Sequence, residues 1–310
     1  MLMKYANYYH PDRHNNDSFD VIDKHHTYNP TYTNRALREA FLSHGIQLNN
    51  PDVNLGQRIE FNLFHDGQDA FIDQNKLNFL IATENPYICP KNADITYLSQ
   101  FTHVFTWNRN LMNLPNTSLV MIPNQISNSP ETLYPNFSER KIFACIINAN
   151  KGFQERIDGD LYKERLSVIK WYEENSPELF SLFGLGWNKP PPAHTIYRKF
   201  IRRLQRLATQ TFNYKPFPSY KGEVVNKSDV YQNAKFAYCY ENVADLPDYI
   251  SEKIFDAFLS RCVPIYWGSN TISERVPKNC FVDRRDFRNT YEVNKYLLNI
   301  TEKEYQSYQD

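Results

Sequence analysis

The 310-residue sequence is short of three things, and each shortage closes a class of function. It has no excess charge. Its 35 basic side chains offset 35 acidic ones, so no global basic field points to nucleic acid. It has few cysteines, five in all (Cys89, Cys145, Cys239, Cys262 and Cys280), scattered, odd in number and mostly inside apolar runs. That usage reads as reduced, buried thiols rather than a disulfide framework or a zinc site. Nor does any run approach the roughly 20 apolar residues that cross a bilayer. The opening MLMKYANYYHPDRHNN lacks the apolar core of a signal peptide. The expected location is therefore the cytoplasm. Aromatic residues are plentiful, with 22 Tyr and 21 Phe; such rings line sugar sites as readily as they fill cores.

The length suffices for two domains of ordinary size. Helical and strand-like segments alternate through 1–125, which predicts an α/β, Rossmann-like first domain. Residues 19–22 read as its first strand. A helix follows over 33–44, with Leu37, Ala40 and Phe41 as its apolar stripe and Gly45 as its stop. Strands are expected at 59–64, 77–83, 104–107 and 118–122, and the second of these is apolar enough to be buried on both faces. Glu84, next to Asn85 and Pro86, then stands at the carboxyl end of a parallel strand, where side chains face clefts. A stretch rich in Ser, Pro and Asn gives a linker over 126–140. The second domain, 141–310, opens on a strand at 141–147 and a helix at 161–174.

Two metal readings arise and neither is preferred. His25 and His26 are adjacent, so on a strand they point to opposite faces, and no acidic or thiol pattern accompanies them. Asp158-Gly159-Asp160 could hold a divalent metal under a nucleoside diphosphate. It precedes a helix, however, where Asp is a good cap. Residues 197–208 place Arg198, Lys199, Arg202, Arg203 and Arg206 opposite an apolar face. That arrangement suits peripheral contact with an anionic inner membrane surface, a phosphorylated glycolipid, or simply solvent.

The chain is organised around 235–268. Residues 236–240 read as a strand, and Ser251 takes the N-cap position of a helix carrying Ile254, Phe255 and Phe258. Residues 262–267 read as a second strand. Such a βαβ unit binds ligands at the carboxyl ends of its strands. Glu252 and Lys253 fall on the first helical turn, beside free backbone N–H groups that attract anions.

Three pieces of this stretch, Y-E-N at 240–242, D-Y-I-S-E-K at 248–253 and V-P-I-Y-W-G at 263–268, resemble the C-terminal signature of the α1,3/4-fucosyltransferases. Val243 stands where that family usually has Ser, and the spacer to Asp248 is one residue longer. The resemblance implies a bacterial-type enzyme with two Rossmann-like domains facing across a cleft, the GT-B arrangement. It would be an inverting transferase moving fucose from GDP-β-L-fucose to a hydroxyl of an N-acetylglucosamine- or glucose-containing oligosaccharide or glycolipid, without a required metal. The first domain would take the acceptor and the second the donor. By the same resemblance Glu84 is the general base and Glu252 lies near the fucose. Arg165 and Lys253 would meet the diphosphate with the turn at Ser251. Asn242 and Tyr249 would contact the nucleotide or sugar, and Lys221, in a Y-K-G run, has a counterpart in the family. Two rivals stay open: a GT-B transferase using another nucleotide sugar, and a non-catalytic glycan-binding relative.

Overall fold

A computed structural model describes residues 3–20, 31–122, 134–153, 155–192, 200, 203 and 215–310. The basic stretch 197–208, except for exposed Phe200 and Arg203, lies outside these residues, as do His25 and His26. By contacts the chain forms two units. One comprises Met1–Gln125 with Pro247–Tyr249, the other Ile126–Leu246 with Ile250–Asp310.

The first unit is a six-stranded parallel sheet in the order β2-β1-β3-β4-β5-β6. Its strands are β1 (Lys4–Tyr9), β2 (Ile46–Asn49), β3 (Ile59–His65), β4 (Leu77–Ala82), β5 (His103–Thr106) and β6 (Thr117–Leu119), with helix α1 (Tyr32–Ser43) between β1 and β2. The strand expected at 19–22 is not formed: Phe19 closes a one-turn 3-10 helix, Asp17–Phe19, and residues 21 and 22 are not described. β1 takes the first place instead. Its Asn7 donates to Asn62, which donates to Asn78, so a ladder of amides crosses three strands. Each amide satisfies the next, which lets polar side chains stay buried. β4 packs unequally on its two faces. Leu80 and Ala82 enter one core with Phe64, Leu98 and Val104, while Phe79 and Ile81 are half-buried against Tyr8 and Leu63 on the other.

The second unit is another six-stranded parallel sheet, ordered β12-β11-β10-β7-β8-β9. Its strands are β7 (Ile142–Ile147), β8 (Phe180–Phe183), β9 (Tyr220–Gly222), β10 (Ala234–Tyr240), β11 (Val263–Trp267) and β12 (Val282–Asp283). Its helices include α3 (Leu161–Asn175), α4 (Lys227–Tyr231), α5 (Glu252–Leu259), α6 (Thr290–Asn299) and α7 (Glu302–Ser307), α2 (Ile95–Leu98) being a single turn of the first unit. β7, β10 and β11 read as near-continuous apolar runs because cores cover both faces. Ala144, Ile146, Phe236 and Ile265 pack with α3 on one side, and Cys145, Ile147, Ala237 and Cys239 pack with Ile254 of α5 on the other. All five cysteines are free thiols, three of them fully buried. Of the expected linker, Tyr134 donates to Leu259 O at 2.7 Å and Arg140 Nη1 donates to Tyr231 O and Ala234 O, so 134–140 pack on this unit.

Both sheets reverse strand order once, between β1 and β3 in the first and between β7 and β10 in the second. Counted from β7, the second follows the doubly wound order 3-2-1-4-5-6. Ligands of such sheets gather outside the carboxyl ends of the strands at the reversal. β10 ends there on Tyr240, and Glu241 follows it.

Candidate active site

Glu241 follows β10 and is wholly buried. Its Oε1 accepts the Ser251 backbone N–H at 2.8 Å, and its Oε2 accepts the Ser251 hydroxyl at 2.7 Å and Lys253 Nζ at 3.1 Å. Ser251 occupies the N-cap position of α5 as expected, but its hydroxyl turns to Glu241 and makes no capping bond. Lys253 Nζ also donates to Ser251 Oγ at 2.7 Å. Glycine is required beside this group, because a Cβ at Gly268 would run into Glu241 Cγ and the Tyr266 ring. The V-P-I-Y-W-G piece therefore ends in Gly because a carboxylate just past the neighbouring strand and the Tyr266 ring leave no room for a Cβ.

A chain of charges continues from it. Glu252 Oε1 stands 3.9 Å from Lys253 Nζ and 3.6 Å from Lys227 Nζ, and Lys227 donates to Asp256 at 2.7 Å. Burial opposes charge on Lys253, Lys227 and Glu252, yet the opposite charges win there, whereas at Asp256 burial prevails and raises the carboxyl above its usual range. Against burial, the Glu241 and Glu252 carboxyls hold Lys253 up at about 12. Lys253 and Lys227 likewise overcome burial and bring Glu252 down to about 2. The first turn of α5 thus carries an ionised acid and an ionised base, beside N–H groups without helical partners.

Arg165, on α3, lies deeper than its expected role suggests. Its Nη2 donates to Tyr240 O at 2.6 Å, Glu241 O at 2.8 Å and Asn242 Oδ1 at 3.1 Å, and its guanidinium lies 4.7 Å from the Tyr162 ring centroid. Arg165 and Asn242 therefore fix the loop on which Glu241 stands. Asp160 caps α3 by accepting from Tyr162 N at 3.0 Å and pairs with Lys163 at 3.0 Å. Lys221 is not brought to the group. It is exposed on edge strand β9, with β8 and β7 between it and β10.

In the first unit, Glu84 follows β4, half-buried. Asp66, a left-handed residue at φ 56°, accepts from Thr83 N at 2.6 Å, Glu84 N at 2.9 Å and Asn92 Nδ2 at 2.8 Å, and so pins the Glu84 turn. Tyr249 belongs to this unit. Its hydroxyl donates to Glu84 Oε1 at 2.9 Å. Beside it, buried Asp248 (φ 62°) accepts Arg109 Nε at 2.6 Å and Nη2 at 3.0 Å. One strand over, at the carboxyl ends of β1 and β3, lies an open cavity of about 650 Å³ lined by Tyr9, His10, Arg13, Asp52, Gln68 and Asp69 among others.

Sequence reasoning missed Glu241, Lys227 and Arg109 as members of these groups, and it weighed Asp66 only as a substitute for Glu84 as the base. Glu241 could have been found, since an acid directly after a buried strand is the same signal that singled out Glu84. Arg109 carries no local signal.

Residues 195–310 match the family model described as glycosyltransferase family 10 (fucosyltransferase) C-terminal domain. This segment is similar to the C-terminal part of the family-10 fucosyltransferases. It contains all three motif pieces and Glu241, Glu252 and Lys253. An α-(1,3)-fucosyltransferase of Helicobacter pylori is 38% identical over 74 residues, which are 24% of this chain and 15% of that protein. A putative fucosyltransferase of Acanthamoeba polyphaga mimivirus is 31% identical over 72 residues, 23% of this chain and 12% of that protein. The matched stretches are thus small parts of these curated relatives. Among solved structures, an α1,3-fucosyltransferase with GDP-fucose superposes with TM-score 0.53 at 16% identity, covering 99% of this chain and 81% of that one. An α-glucosyltransferase in complex with UDP-glucose and DNA containing an abasic site gives TM-score 0.57 at 9% identity, covering 100% and 94%. At such identities the likeness shows the fold, two Rossmann-like domains of the GT-B class. Among the described residues no helix is long and apolar enough to cross a membrane, and no group of three or more His, Cys, Asp or Glu side chains could hold a metal ion.

Proposed function

We propose that the chain transfers L-fucose from GDP-β-L-fucose to a hydroxyl of an N-acetylglucosamine- or glucose-containing glycan, in α1,3 or α1,4 linkage and with inversion. The observation that carries this reading is the Glu252–Lys253 pair on the first turn of α5, at the strand-order reversal of the second sheet and within the segment that matches the family-10 model. In such a transfer the nucleoside diphosphate leaves with growing negative charge while the sugar gains oxocarbenium character. Lys253 and the α5 N-terminus would meet the first with hydrogen bonds that strengthen as charge develops. Arg165 and Asn242 fix the loop beside them, and Glu252 would counter the positive charge on the ring. With cations and a helix end at the diphosphate, bond breaking requires no divalent metal.

The incoming hydroxyl must lose a proton to a carboxylate, and Glu84 is placed for that role. The cavity next to it would hold the acceptor. Burial and the His65 ring keep His10 neutral, at a pKa of about 3, and Asp69 is paired with Lys91. Little net charge remains on the lining, which suits a neutral, hydroxyl-rich ligand, and the volume lies within the usual range for small-molecule sites, about 300–1,000 Å³.

The likeness to a structure holding UDP-glucose keeps a second donor in view. Thermal shift separates the two readings. A nucleotide at about 100 times its Kd adds about 2.7 kcal/mol of stability. GDP should raise the melting temperature and UDP should not; a UDP shift with no GDP shift would move the proposal to a UDP-sugar transferase.

A further inference from the structure

Three donors converge on one oxygen of Glu84. Asn85 supplies its backbone N–H at 2.9 Å and its side-chain amide at 2.8 Å, and Tyr249 supplies its hydroxyl at 2.9 Å. The Asn85 amide also donates to that hydroxyl at 3.1 Å, so the phenol is oriented with its own proton toward the carboxylate. The surroundings leave Tyr249 little freedom. It is 3% exposed, and its ring lies 4.8 Å from that of Trp107, whose indole N–H holds Thr83 O at 3.0 Å, one residue before Glu84. Its neighbour Asp248 is gripped by both arms of the Arg109 fork. Buried Asp248 adopts a left-handed backbone there, a conformation that persists only where contacts fix it.

We propose that Tyr249 is a positioning residue for Glu84: its hydroxyl orients the carboxylate and keeps it in the proton-accepting form, and Arg109 with Asp248 sets where that hydroxyl stands. A donor to a carboxylate favours the ionised state, and a base must be both ionised and held in one orientation. The proposal rests on the reading of Glu84 as the base. It departs from what the D-Y-I-S-E-K resemblance implies, which puts this tyrosine on the nucleotide or sugar.

Tyr249→Phe removes one oxygen and keeps the ring against Trp107, so the fold should survive, as an unchanged melting curve would verify. Four proteins are compared for fucosyl transfer at saturating GDP-fucose: wild type, Tyr249→Phe, Glu84→Gln and the double variant. GDP affinity is measured on each by calorimetry. For a positioning residue, Tyr249→Phe lowers kcat about tenfold, the worth of one hydrogen bond to a charged group. GDP affinity stays within about twofold, because no group near the nucleotide has changed. In the Glu84→Gln background the tyrosine change adds less than about twofold, since there is no longer a carboxylate to orient. The proposal is overturned if the two losses multiply in the double variant. It is equally overturned if GDP affinity falls more than about tenfold while kcat survives, the signature of a donor contact. The Glu84→Gln single variant reports separately on the underlying reading. Full turnover in that variant alone would remove Glu84 as the base, and the role of Tyr249 with it.

Discussion

Glu241→Gln separates charge from shape at the centre of the second unit. The amide can still accept the Ser251 backbone N–H, now made at 2.8 Å, while Lys253 loses its nearer counter-charge at 3.1 Å. In the native protein Lys253 is held at about 12, against an ordinary value of 10.5. A shift of about 1.5 units at about 1.36 kcal/mol each gives about 2 kcal/mol, most of it from Glu241 because Glu252 is farther away at 3.9 Å. For a unit of this size that is a fall of about 4–8 °C in melting temperature. The pH dependence gives the stronger test. Because the folded value lies above the unfolded one, this stabilisation is complete below pH 10.5 and is lost as pH rises through about 12. Thermal unfolding of both proteins, followed by circular dichroism at several pH values, should show a gap near neutrality that closes over that alkaline window. Equal melting temperatures at neutral pH, or a gap that persists beyond pH 12, would refute the reasoning.

Lys227→Met takes the cation from between Glu252 and Asp256; turnover should fall at least tenfold, whereas Asp256→Asn, which leaves the Lys227–Glu252 pair intact, should fall less, as initial rates would show. Arg109→Ala leaves wholly buried Asp248 without its fork and should cost about 1–3 kcal/mol in denaturant unfolding. Asp160→Asn keeps a side chain that caps as well as Asp and should be nearly silent, whereas Asp160→Ala should cost about 1 kcal/mol. EDTA should leave turnover in place; abolition that manganese restores would favour the metal reading of Asp158 and Asp160.

The alternation of elements and the buried strands β7, β10 and β11 were legible because apolar periodicity survives wherever a strand is covered on both faces. β1 was not. Its centre is Asn7, and an asparagine ladder satisfied across three strands looks, in one dimension, like a polar loop. β2 and β8 were not marked either, although β5, equally short, was. In the site, the motif pieces led to Ser251, Glu252 and Lys253, and the Y-E-N piece contained Glu241 without marking its role, because the hydrogen bonds it makes to Ser251 and Lys253 span ten and twelve residues. Arg165 was found by position, while its use on backbone oxygens of β10 and the following loop depends on how α3 packs. Lys221 shows the converse: a run that matches the motif, placed by strand order on the far edge of the sheet. Nothing local marks Arg109 as the partner of a residue 139 positions away.

The most direct measurement of the account is the product formed from GDP-β-L-fucose and an N-acetylglucosamine-containing oligosaccharide, identified by mass and by the NMR signal of its new anomeric proton. The account predicts an α-L-fucosylated oligosaccharide and an equal amount of GDP, with Lys253→Ala and Glu84→Gln each suppressing both. No fucosylated product, with another nucleotide sugar consumed under the same conditions, would contradict it.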